Sequence, residues 1–239
     1  MTRTLFISDL HLDPSRPAIV ARFERFLGDV APGADALYIL GDLFEYWVGD
    51  DGLVLPFPAA IARSLSEAAR RMPVRFMHGN RDFLVARAFS ESTGIELVPD
   101  PTVIDLYGTR TVLLHGDTLC TEDLEYQKLR TQVRDPLWQQ AVLARPIAER
   151  VAMAKDMRAQ SEGAKSGKEM EIMDVALSAV ERAFVASDCD FMIHGHTHRP
   201  GRHEYRIGGR DRVRWVLPDW YEAGGYLEAS PAGLRAIAA

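Results

Sequence analysis

The segment Phe6-Ile-Ser-Asp-Leu-His-Leu12 predicts a β-strand that ends in polar side chains, because its apolar run is followed by an aspartate and a histidine. Four later segments repeat this arrangement, with glycine beside polar residues that can bind a metal ion or an anion. These segments are Gly41-Asp42, Gly79-Asn80-Arg81-Asp82, His115-Gly-Asp117 and His194-Gly-His196-Thr-His198. The carboxyl ends of strands form the ligand-binding crevice in open α/β sheets. We therefore expect the five strand ends to meet in one site.

The rest of the chain alternates short apolar runs with helix-like stretches, which is typical of an α/β layered domain. The predicted strands cover residues 4–8, 36–40, 74–77, 102–106, 111–114, 190–193, 202–207, 212–217 and 225–229. Helices are predicted over residues 17–28 and 58–72, each beginning near a proline that suits a first helical turn. Turn signals between the last three strands indicate an antiparallel finish, so the sheets should be mixed.

Residues 122–186 differ from the rest of the chain, because they contain few strand signals and are rich in Ala, Arg, Lys, Glu, Gln and Met. We predict an inserted helical lid here, with a metal-binding core formed by residues 1–121 and 187–239. Pro136 and Pro146 should divide the lid into separate helices. The polar stretch 161–167 is predicted to be a flexible link between two of them.

The composition disfavours nucleic acid as a partner. The 239 residues carry 28 Lys and Arg against 34 Asp and Glu, a formal net charge of −6, so no general positive field attracts a polyanion. Cys120 and Cys189 are far apart and are expected to be reduced packing residues in a cytoplasmic protein. No apolar run approaches the roughly 20 residues of a membrane-spanning helix, and no signal segment is evident at the N-terminus. We expect a protein that is soluble or lies on a membrane surface.

The polar residues at the strand ends suit a pair of divalent cations. Carboxylate, amide and imidazole groups together favour Mn²⁺, Fe²⁺ or Zn²⁺. Two ions about 4 Å apart need a ligand that both can share, and a deprotonated aspartate can supply an oxygen to each. Asp42 is our candidate for this bridge. Asp117 and His194 could orient the metal-binding histidines from behind.

The order Asp-x-His, Gly-Asp, Gly-Asn-Arg-Asp, His-Gly-Asp and Gly-His-Thr-His resembles the calcineurin-like metallophosphoesterases, and it extends from Asp9 to His198. The resemblance implies an α/β fold in which two mixed β-sheets pack as a sandwich flanked by helices. It also implies two divalent metal ions, with Mn²⁺ expected. One ion would be held by Asp9, His11, Asp42 and His198, and the other by Asp42, Asn80, His115 and His196.

Two departures from the family pattern narrow the expected chemistry. Many relatives have a histidine after the asparagine of the third motif, where this chain has Arg81. An arginine can grip anionic oxygens, and phosphate leaving groups need little protonation, so we expect an anhydride substrate. Iron(III)-containing relatives need a tyrosine three residues after the bridging aspartate, where this chain has Glu45. A redox-active ferric site is therefore not expected.

Several local strings resemble one branch of that family, which hydrolyses the pyrophosphate bond of UDP-2,3-diacylglucosamine to UMP and 2,3-diacylglucosamine 1-phosphate in lipid A biosynthesis. The strings are FISDLHL, YILGDLFEYWVGDD, MHGNRDFL, LLHGDTLCTED and IHGHTHRP. This resemblance implies catalytic roles for Arg81 and His196. It implies that the substrate is bound by Asn80, Arg81, Asp123, Ser161, Lys165, Lys168 and His196. Relatives often have asparagine at the position of Lys165, and the two lysines could equally form a solvated helix face.

Apolar residues in and near the proposed lid suit two acyl chains or, alternatively, simply pack the lid onto the core. They are Trp47, Phe83, Leu84, Phe89, Leu137, Trp138, Met153, Met157, Ile172 and Met173. Arg130, Arg134, Arg145 and Arg150 could contact anionic lipid headgroups. We expect peripheral contact with the cytoplasmic face of the inner membrane, and no obligate protein partner.

Other functions remain open at this stage. A different small-substrate metallophosphoesterase, such as a nucleotide pyrophosphatase or a cyclic-nucleotide phosphodiesterase, would use the same metal ligands. A noncatalytic scaffold that has lost its metals is disfavoured by the complete ligand set. A nuclease is disfavoured by the acidic balance and by the lack of a basic, aromatic-lined groove.

Overall fold

The computed structural model describes residues 2–165, 174–222 and 224–238, with the side chains of residues 161–165 left aside. Its α-helices are α1 Pro17–Arg25, α2 Pro56–Ala69, α3 Arg87–Thr93, α4 Leu124–Val133, α5 Pro136–Leu143, α6 Ile147–Lys165 and α7 Leu177–Ser187. Its strands are β1 Thr4–Ile7, β2 Ala36–Leu40, β3 Val74–Met77, β4 Glu96–Val98, β5 Thr102–Leu106, β6 Thr109–Leu113, β7 Phe191–His194, β8 Gly201–Ile207, β9 Arg210–Val216, β10 Gly225–Ser230 and β11 Gly233–Ala238.

These strands form two mixed sheets, which confirms the predicted fold class. The first sheet has the order β11-β10-β1-β2-β3-β4, and the second has the order β5-β6-β7-β9-β8. Pairing is parallel from β1 to β4 and among β6, β7 and β9, and it is antiparallel elsewhere. Parallel neighbours leave their carboxyl ends at one edge of each sheet, which brings the motif loops together.

Alternation along the central strands builds both faces of the first sheet. In β2, Tyr38 and Leu40 join an apolar cluster with Leu113 and Ile193 of the second sheet, so this cluster is the interior of the sandwich. Leu37 and Ile39 point the other way, into a cluster with residues of α1, α2 and α3. Because side chains alternate along a strand, a strand buried on both faces is apolar at every position. This accounts for the continuous apolar run of β2.

All nine predicted strands are present, with ends shifted by a residue or two. The sequence analysis missed β4, β11 and α3. β4 has only three residues, and β11 is an edge strand whose residues are mostly exposed, so neither has the apolar pattern of a buried strand. Helix α1 ends at Arg25 and continues as a wider π-helical turn over Phe26–Val30, which completes the predicted helix.

The region predicted as a lid contains two kinds of helix. Helices α4, α5 and α6 lie beside the motif loops, whereas α7 packs on the second sheet through Val180 and Phe184. Asp135 caps α5 by accepting hydrogen bonds from the backbone of Leu137 and Trp138 at 2.9 Å each. The predicted flexible link at 161–167 is wrong as far as the description extends, because α6 is helical through Lys165. Its Ala, Glu and Lys residues favour helix strongly enough to include Gly163.

The division of the chain into core and lid remains a prediction. The packing of α7 on the second sheet favours a smaller lid, comprising α4 to α6, than residues 122–186. Among the described residues, no helix has both the length and the apolar composition needed to cross a membrane.

Candidate metal centre

The first group of side chains at the strand ends comprises Asp9, His11 and His198, whose ligand atoms lie within 4.8 Å of one another. His198 Nε2 lies 3.4 Å from Asp9 Oδ1 and 3.4 Å from His11 Nε2. Asp9 and His11 follow β1, and His198 follows β7, so one strand from each sheet supplies this group. Loops that are distant in the chain therefore bring a carboxylate and two imidazoles together.

The second group comprises Asp42, Asn80, His115 and His196. Asn80 Oδ1 lies 3.1 Å from His115 Nε2 and 2.9 Å from His196 Nδ1. Asp42 follows β2, Asn80 follows β3 and His115 follows β6, again from both sheets. An amide oxygen facing two imidazole nitrogens is a suitable donor set for a divalent cation.

Asp42 lies between the two groups. Its Oδ2 is 3.8 Å from His11 Nε2, and its Oδ1 is 3.7 Å from His115 Nε2. The two oxygens therefore face different groups, as a carboxylate shared between two cations must. Burial raises the pKa of Asp42, and the Asp9 carboxylate raises it further, although His115 opposes this shift. A nearby cation would favour its ionised form.

The donor set fits a pair of divalent cations. Asp9 Oδ1 is buried without a hydrogen-bond partner among the residues described. Unpaired buried polar atoms are costly and therefore uncommon away from functional sites. Carboxylate, amide and imidazole donors point into one small space, and Arg81 reaches its edge, with Nε 4.0 Å from Asp42 Oδ2. These residues would hold the ions that the sequence analysis predicts.

The backbone around the site is strained. Seven non-glycine residues in the described part of the chain have φ in the left-handed region, and five of them are predicted metal ligands. These are Asp9, His11, Asp42, His196 and His198, with φ of 55°, 49°, 52°, 67° and 54°. Such conformations cost about 1–3 kcal/mol each and persist where the surroundings require them. Here the surroundings require them because five predicted ligands must direct their side chains into the same small space.

Asp82 holds the loops that carry two of the ligands. Its buried carboxylate accepts hydrogen bonds from the backbone N–H groups of Asp42, Leu43, Phe44 and Gly79, at 3.3, 2.7, 3.3 and 2.8 Å. Burial and the Asp42 carboxylate raise the pKa of Asp82 to about 7. Asp82 therefore contributes to the site through the backbone and not as a ligand.

We expect Asp82→Ala to lower the free energy of unfolding by about 3 kcal/mol or more, because each buried donor left unpaired costs about 1–3 kcal/mol. Denaturant unfolding measures the change. The surface variant Asp105→Ala, which loses one hydrogen bond to Gly108 at an exposed turn, is the control. An Asp82→Ala protein as stable as the control would contradict this role.

Two glycines permit the close approach of neighbouring loops. A side chain at Gly79 would collide with the backbone nitrogen and the carboxylate of Asp42, and one at Gly195 would collide with Asp9 and Ser8. Both contacts involve the loops that carry ligands. Glycine is therefore needed here for space, as predicted for positions beside the ligands.

A backbone carbonyl group orients the His115 ring, and nearby carboxylates give it a negative environment. Its Nδ1 lies 2.9 Å from the carbonyl oxygen of Leu40, so that nitrogen carries a proton, and Nε2 faces Asn80 and Asp42, the other proposed ligands of the same cation. Burial alone would lower the pKa of His115, but the carboxylates of Asp42, Asp117 and Asp9 raise it to about 9. A field that favours a protonated imidazole also favours a bound cation.

Comparisons with known proteins agree with this geometry. A model of the family described as calcineurin-like phosphoesterase matches residues 2–200. The chain belongs to the calcineurin-like phosphoesterase family. Proteins named UDP-2,3-diacylglucosamine hydrolase are similar over nearly the whole chain: one from Xanthomonas campestris pv. campestris (strain ATCC 33913) is 50% identical, covering 97% of this chain and 96% of that protein. Another, from Stenotrophomonas maltophilia (strain K279a), is 49% identical, covering 96% of each.

Among solved structures, a novel archaeal phosphodiesterase superposes with a TM-score of 0.49 at 12% identity, covering 99% of each chain. The family assignment does not depend on this distant likeness. It follows from the family model and from the relatives of about 50% identity.

In this calcineurin-like phosphoesterase, an apolar groove leads from the metal centre to the lid. Arg81 and Asn80 lie at its inner end, and helices α4, α5 and α6 form one wall. Six of the ten predicted acyl-binding residues line it, namely Trp47, Phe83, Leu84, Trp138, Met153 and Met157. Phe89 instead lies in the core against Trp47, and Leu137 is 75% exposed. Ile172 and Met173 are outside the described residues.

The predicted substrate-binding residues fall into three groups. Asn80, Arg81 and His196 lie at the metal centre. Asp123 caps the N-terminus of helix α4, where its carboxylate accepts a hydrogen bond from the backbone N–H of Tyr126 at 3.1 Å. The side chains of Ser161 and Lys165, and the whole of Lys168, are outside the description. Their roles remain predictions.

Three of the four arginines expected at lipid headgroups have partners inside the protein, so that expectation is wrong for them. Arg130 donates to the buried carboxylate of Asp117 at 2.8 Å, and Arg134 donates to the carbonyl oxygen of Gly79 at 2.9 Å. Arg150 is buried and pairs with Asp51 and the carbonyl oxygen of Val48. Only Arg145 of the four is exposed. Long-range contacts of this kind leave no local pattern in the sequence.

Asp117 lies behind a metal-site histidine as expected, but it reaches that histidine indirectly, whereas His194 has a different role. Asp117 accepts hydrogen bonds from Tyr126 Oη at 2.6 Å and from Arg130, and Tyr126 lies against the ring of His196. Asp117 therefore supports a metal-site histidine through Tyr126, which the sequence analysis missed. The His194 ring bonds to the carbonyl oxygen of Gly195 at 2.8 Å and to Arg214 at 2.9 Å. Its described contacts support the loop backbone and not another imidazole.

Proposed function

We propose that this phosphoesterase hydrolyses the pyrophosphate bond of UDP-2,3-diacylglucosamine, giving UMP and 2,3-diacylglucosamine 1-phosphate in lipid A biosynthesis. The apolar groove that opens at Arg81 carries the proposal, because it gives acyl chains a binding surface beside the metal centre that would hydrolyse the pyrophosphate. The names of the relatives of about 50% identity support it. A substrate that joins a pyrophosphate to two acyl chains matches both parts of the site.

We propose Mn²⁺ for both metal positions, held by Asp9, His11, Asp42 and His198 and by Asp42, Asn80, His115 and His196. Bound divalent ions lower the pKa of water and neutralise charge on phosphoryl oxygens. The carboxylate of Asp42 would supply one oxygen to each position. Asp9 Oδ2 accepts a hydrogen bond from the backbone N–H of His196 at 2.8 Å, which ties the two groups to each other.

Arg81 and His196 act on the substrate in this proposal. Arg81 Nε lies 4.0 Å from Asp42 Oδ2, and its side chain is 13% exposed at the inner end of the groove. A guanidinium there can grip two oxygens of a pyrophosphate and stabilise the charge that develops in the transition state. His196 lies beside Asn80 and Tyr126 at the metal centre, from where it would contact the same phosphoryl group.

The substrate test compares hydrolysis of UDP-2,3-diacylglucosamine with hydrolysis of UDP-glucose and ADP-ribose by the same Mn²⁺-loaded protein. We expect kcat/KM to be highest for the diacylated substrate by several orders of magnitude. Equal rates on all three would indicate a general nucleotide pyrophosphatase and would overturn the lipid assignment.

We expect Trp138→Ala to lower kcat/KM for the diacylated substrate by about 10- to 100-fold, because an indole that lines the groove is worth roughly 1.5–3 kcal/mol when buried by an acyl chain. Activity on a water-soluble pyrophosphate without acyl chains should stay unchanged. Val103→Ala, at an exposed position on β5, is the matched control. An equal loss on both substrates would mean that Trp138 only packs the lid.

We further propose that the protein works at the cytoplasmic face of the inner membrane, where a diacylated substrate partitions. Leu124 and Leu137 are 73% and 75% exposed at the starts of α4 and α5, beside the groove, and would enter the interfacial layer. Co-sedimentation with anionic lipid vesicles tests this. Binding that is unchanged by a Leu124→Ser, Leu137→Ser double variant would contradict it.

A further inference from the structure

Glu45 lies between the metal centre and the lid. It follows Asp42 by three residues, and its side chain is only 8% exposed. Its Oε2 accepts a hydrogen bond from Arg16 at 2.8 Å and lies 3.7 Å from His11 Nδ1, while its Oε1 accepts from Arg158. A buried carboxylate is expensive unless it is paired, so each of these neighbours matters to it.

The Glu45 carboxylate lies on the side of the second ring nitrogen of His11, 3.7 Å from it. His11 Nε2 faces Asp9, Asp42 and His198, at 4.0, 3.8 and 3.4 Å. An imidazole whose Nε2 binds a cation carries its proton on Nδ1, and Glu45 Oε2 is the carboxylate on that side. The Tyr221 ring stacks on one face of the His11 ring, with the two ring centroids 5.0 Å apart. If Glu45 Oε2 moved slightly closer to His11 Nδ1, a hydrogen bond between them would fix the orientation of the His11 ring.

The other side of Glu45 reaches the lid. Arg158 belongs to the C-terminal half of α6, lies 113 residues from Glu45 in the chain, and lines the apolar groove. The N-terminal half of α6 has a separate anchor, in which Arg150 pairs with Asp51 and with the carbonyl oxygen of Val48. Contact with Glu45 therefore ties α6 at Arg158 to a residue beside the metal centre.

We propose that Glu45 is a positioning residue shared by the metal centre and the lid: it orients His11 toward its cation and holds the C-terminal half of α6 through Arg158. A carboxylate has two oxygens with about four acceptor sites, so Arg16, Arg158 and His11 can all donate to it together. The three contacts fix one another. Metal binding at His11 and the contact of α6 with Glu45 should consequently strengthen each other, because coupling between two sites is reciprocal.

A purely structural role makes a different prediction. If Glu45 only neutralised Arg16 and Arg158, its loss would destabilise the protein without changing metal affinity. Mn²⁺ would also slow hydrogen exchange in α6 equally in proteins with and without the Glu45 carboxylate. The inference rests on the two-metal centre of the proposed function but not on the identity of the substrate, so it can be tested with Mn²⁺ alone.

The first measurement is Mn²⁺ binding without substrate, followed through the electron paramagnetic resonance signal of the free ion. We expect the wild-type protein to bind two ions, and Glu45→Gln to bind one of them about 10- to 100-fold more weakly, as is typical when the partner of a ligating histidine is lost. Arg158→Gln leaves Glu45 and His11 in place and should weaken the same ion about 5-fold, the lower end of typical coupling. Glu149→Gln, exposed in the first turn of α6, is the matched control and should bind as the wild type does.

The second measurement is hydrogen exchange in residues 153–160 with and without Mn²⁺. We expect Mn²⁺ to slow exchange there in the wild-type and Glu149→Gln proteins, and to slow it much less in Glu45→Gln and Arg158→Gln. If Glu45→Gln does not fold, Arg158→Gln carries the test by itself. Wild-type affinity and undiminished slowing in the variants would overturn the inference while leaving the two-metal centre intact. Failure of the wild-type protein to bind two ions would overturn both.

Discussion

Asp42→Asn is expected to lower kcat by about 10³-fold or more and to reduce bound Mn²⁺ from two ions per chain to one or none. The carboxylate presents one oxygen to the His11 side and the other to the His115 side, and an amide can offer only one oxygen. Each cation provides several kcal/mol of transition-state stabilisation, and about 4 kcal/mol corresponds to roughly 10³-fold in rate. No other single replacement removes a ligand from both positions.

Steady-state kinetics and elemental analysis of the same preparations measure the Asp42→Asn effect. Asp211→Asn is the control, because Asp211 is exposed and forms a surface ion pair with Arg206. Far-ultraviolet circular dichroism should show both variants to be folded. An Asp42→Asn protein that keeps two bound ions and wild-type turnover would remove Asp42 from the bridging position.

Arg81→Ala is expected to lower kcat/KM by about 10²- to 10³-fold while two Mn²⁺ ions stay bound. This is the loss in rate that follows when an enzyme loses one fixed hydrogen-bond donor to the negative charge of the transition state. Arg81 Nε is buried 4.0 Å from Asp42 Oδ2, without a hydrogen-bond partner among the described residues, and the 13% of the side chain that is exposed lines the groove, where an anionic ligand would meet it. Arg81→Lys should recover only part of the activity, because an ammonium group cannot form the two parallel hydrogen bonds of a guanidinium.

The metal content separates the Arg81 effect from the Asp42 effect. If Arg81→Ala also loses metal, then Arg81 supports the carboxylate of Asp42 and does not bind the substrate. Arg206→Ala, at a side chain that is 65% exposed, should keep wild-type kinetics. A wild-type kcat/KM for Arg81→Ala would contradict the anhydride mechanism.

The strands and the metal-binding residues were predictable because both leave local patterns. Strands buried on both faces are apolar throughout, as β2 shows, and the polar residues come where such runs stop. Glycine marks the places where loops approach closely, as Gly79 does beside Asp42. Parallel strand order then brings the ends together without further information from the sequence.

The surroundings of the site were not predictable, because they depend on contacts between distant parts of the chain. Arg130 and Arg150 look like surface residues in sequence, yet they pair with Asp117 and Asp51. Tyr221 reaches His11 from a loop near the C-terminus. The ion pairs of Arg130 and Arg150 depend on how α4 and α6 pack on the core, and the periodicity of a helix does not specify its packing position. Short or exposed elements such as β4 and β11 were missed for the separate reason that they bury little apolar surface.

A crystal structure of the Mn²⁺-soaked protein, with anomalous diffraction recorded at the manganese absorption edge, would test the metal centre most directly. Two anomalous peaks are expected about 3.5–4 Å apart, with one oxygen of Asp42 on each, which is the usual spacing of two-metal sites. His11 and His198 should contact one peak, and His115 and His196 the other. A single peak, or two peaks that do not share Asp42, would contradict the account.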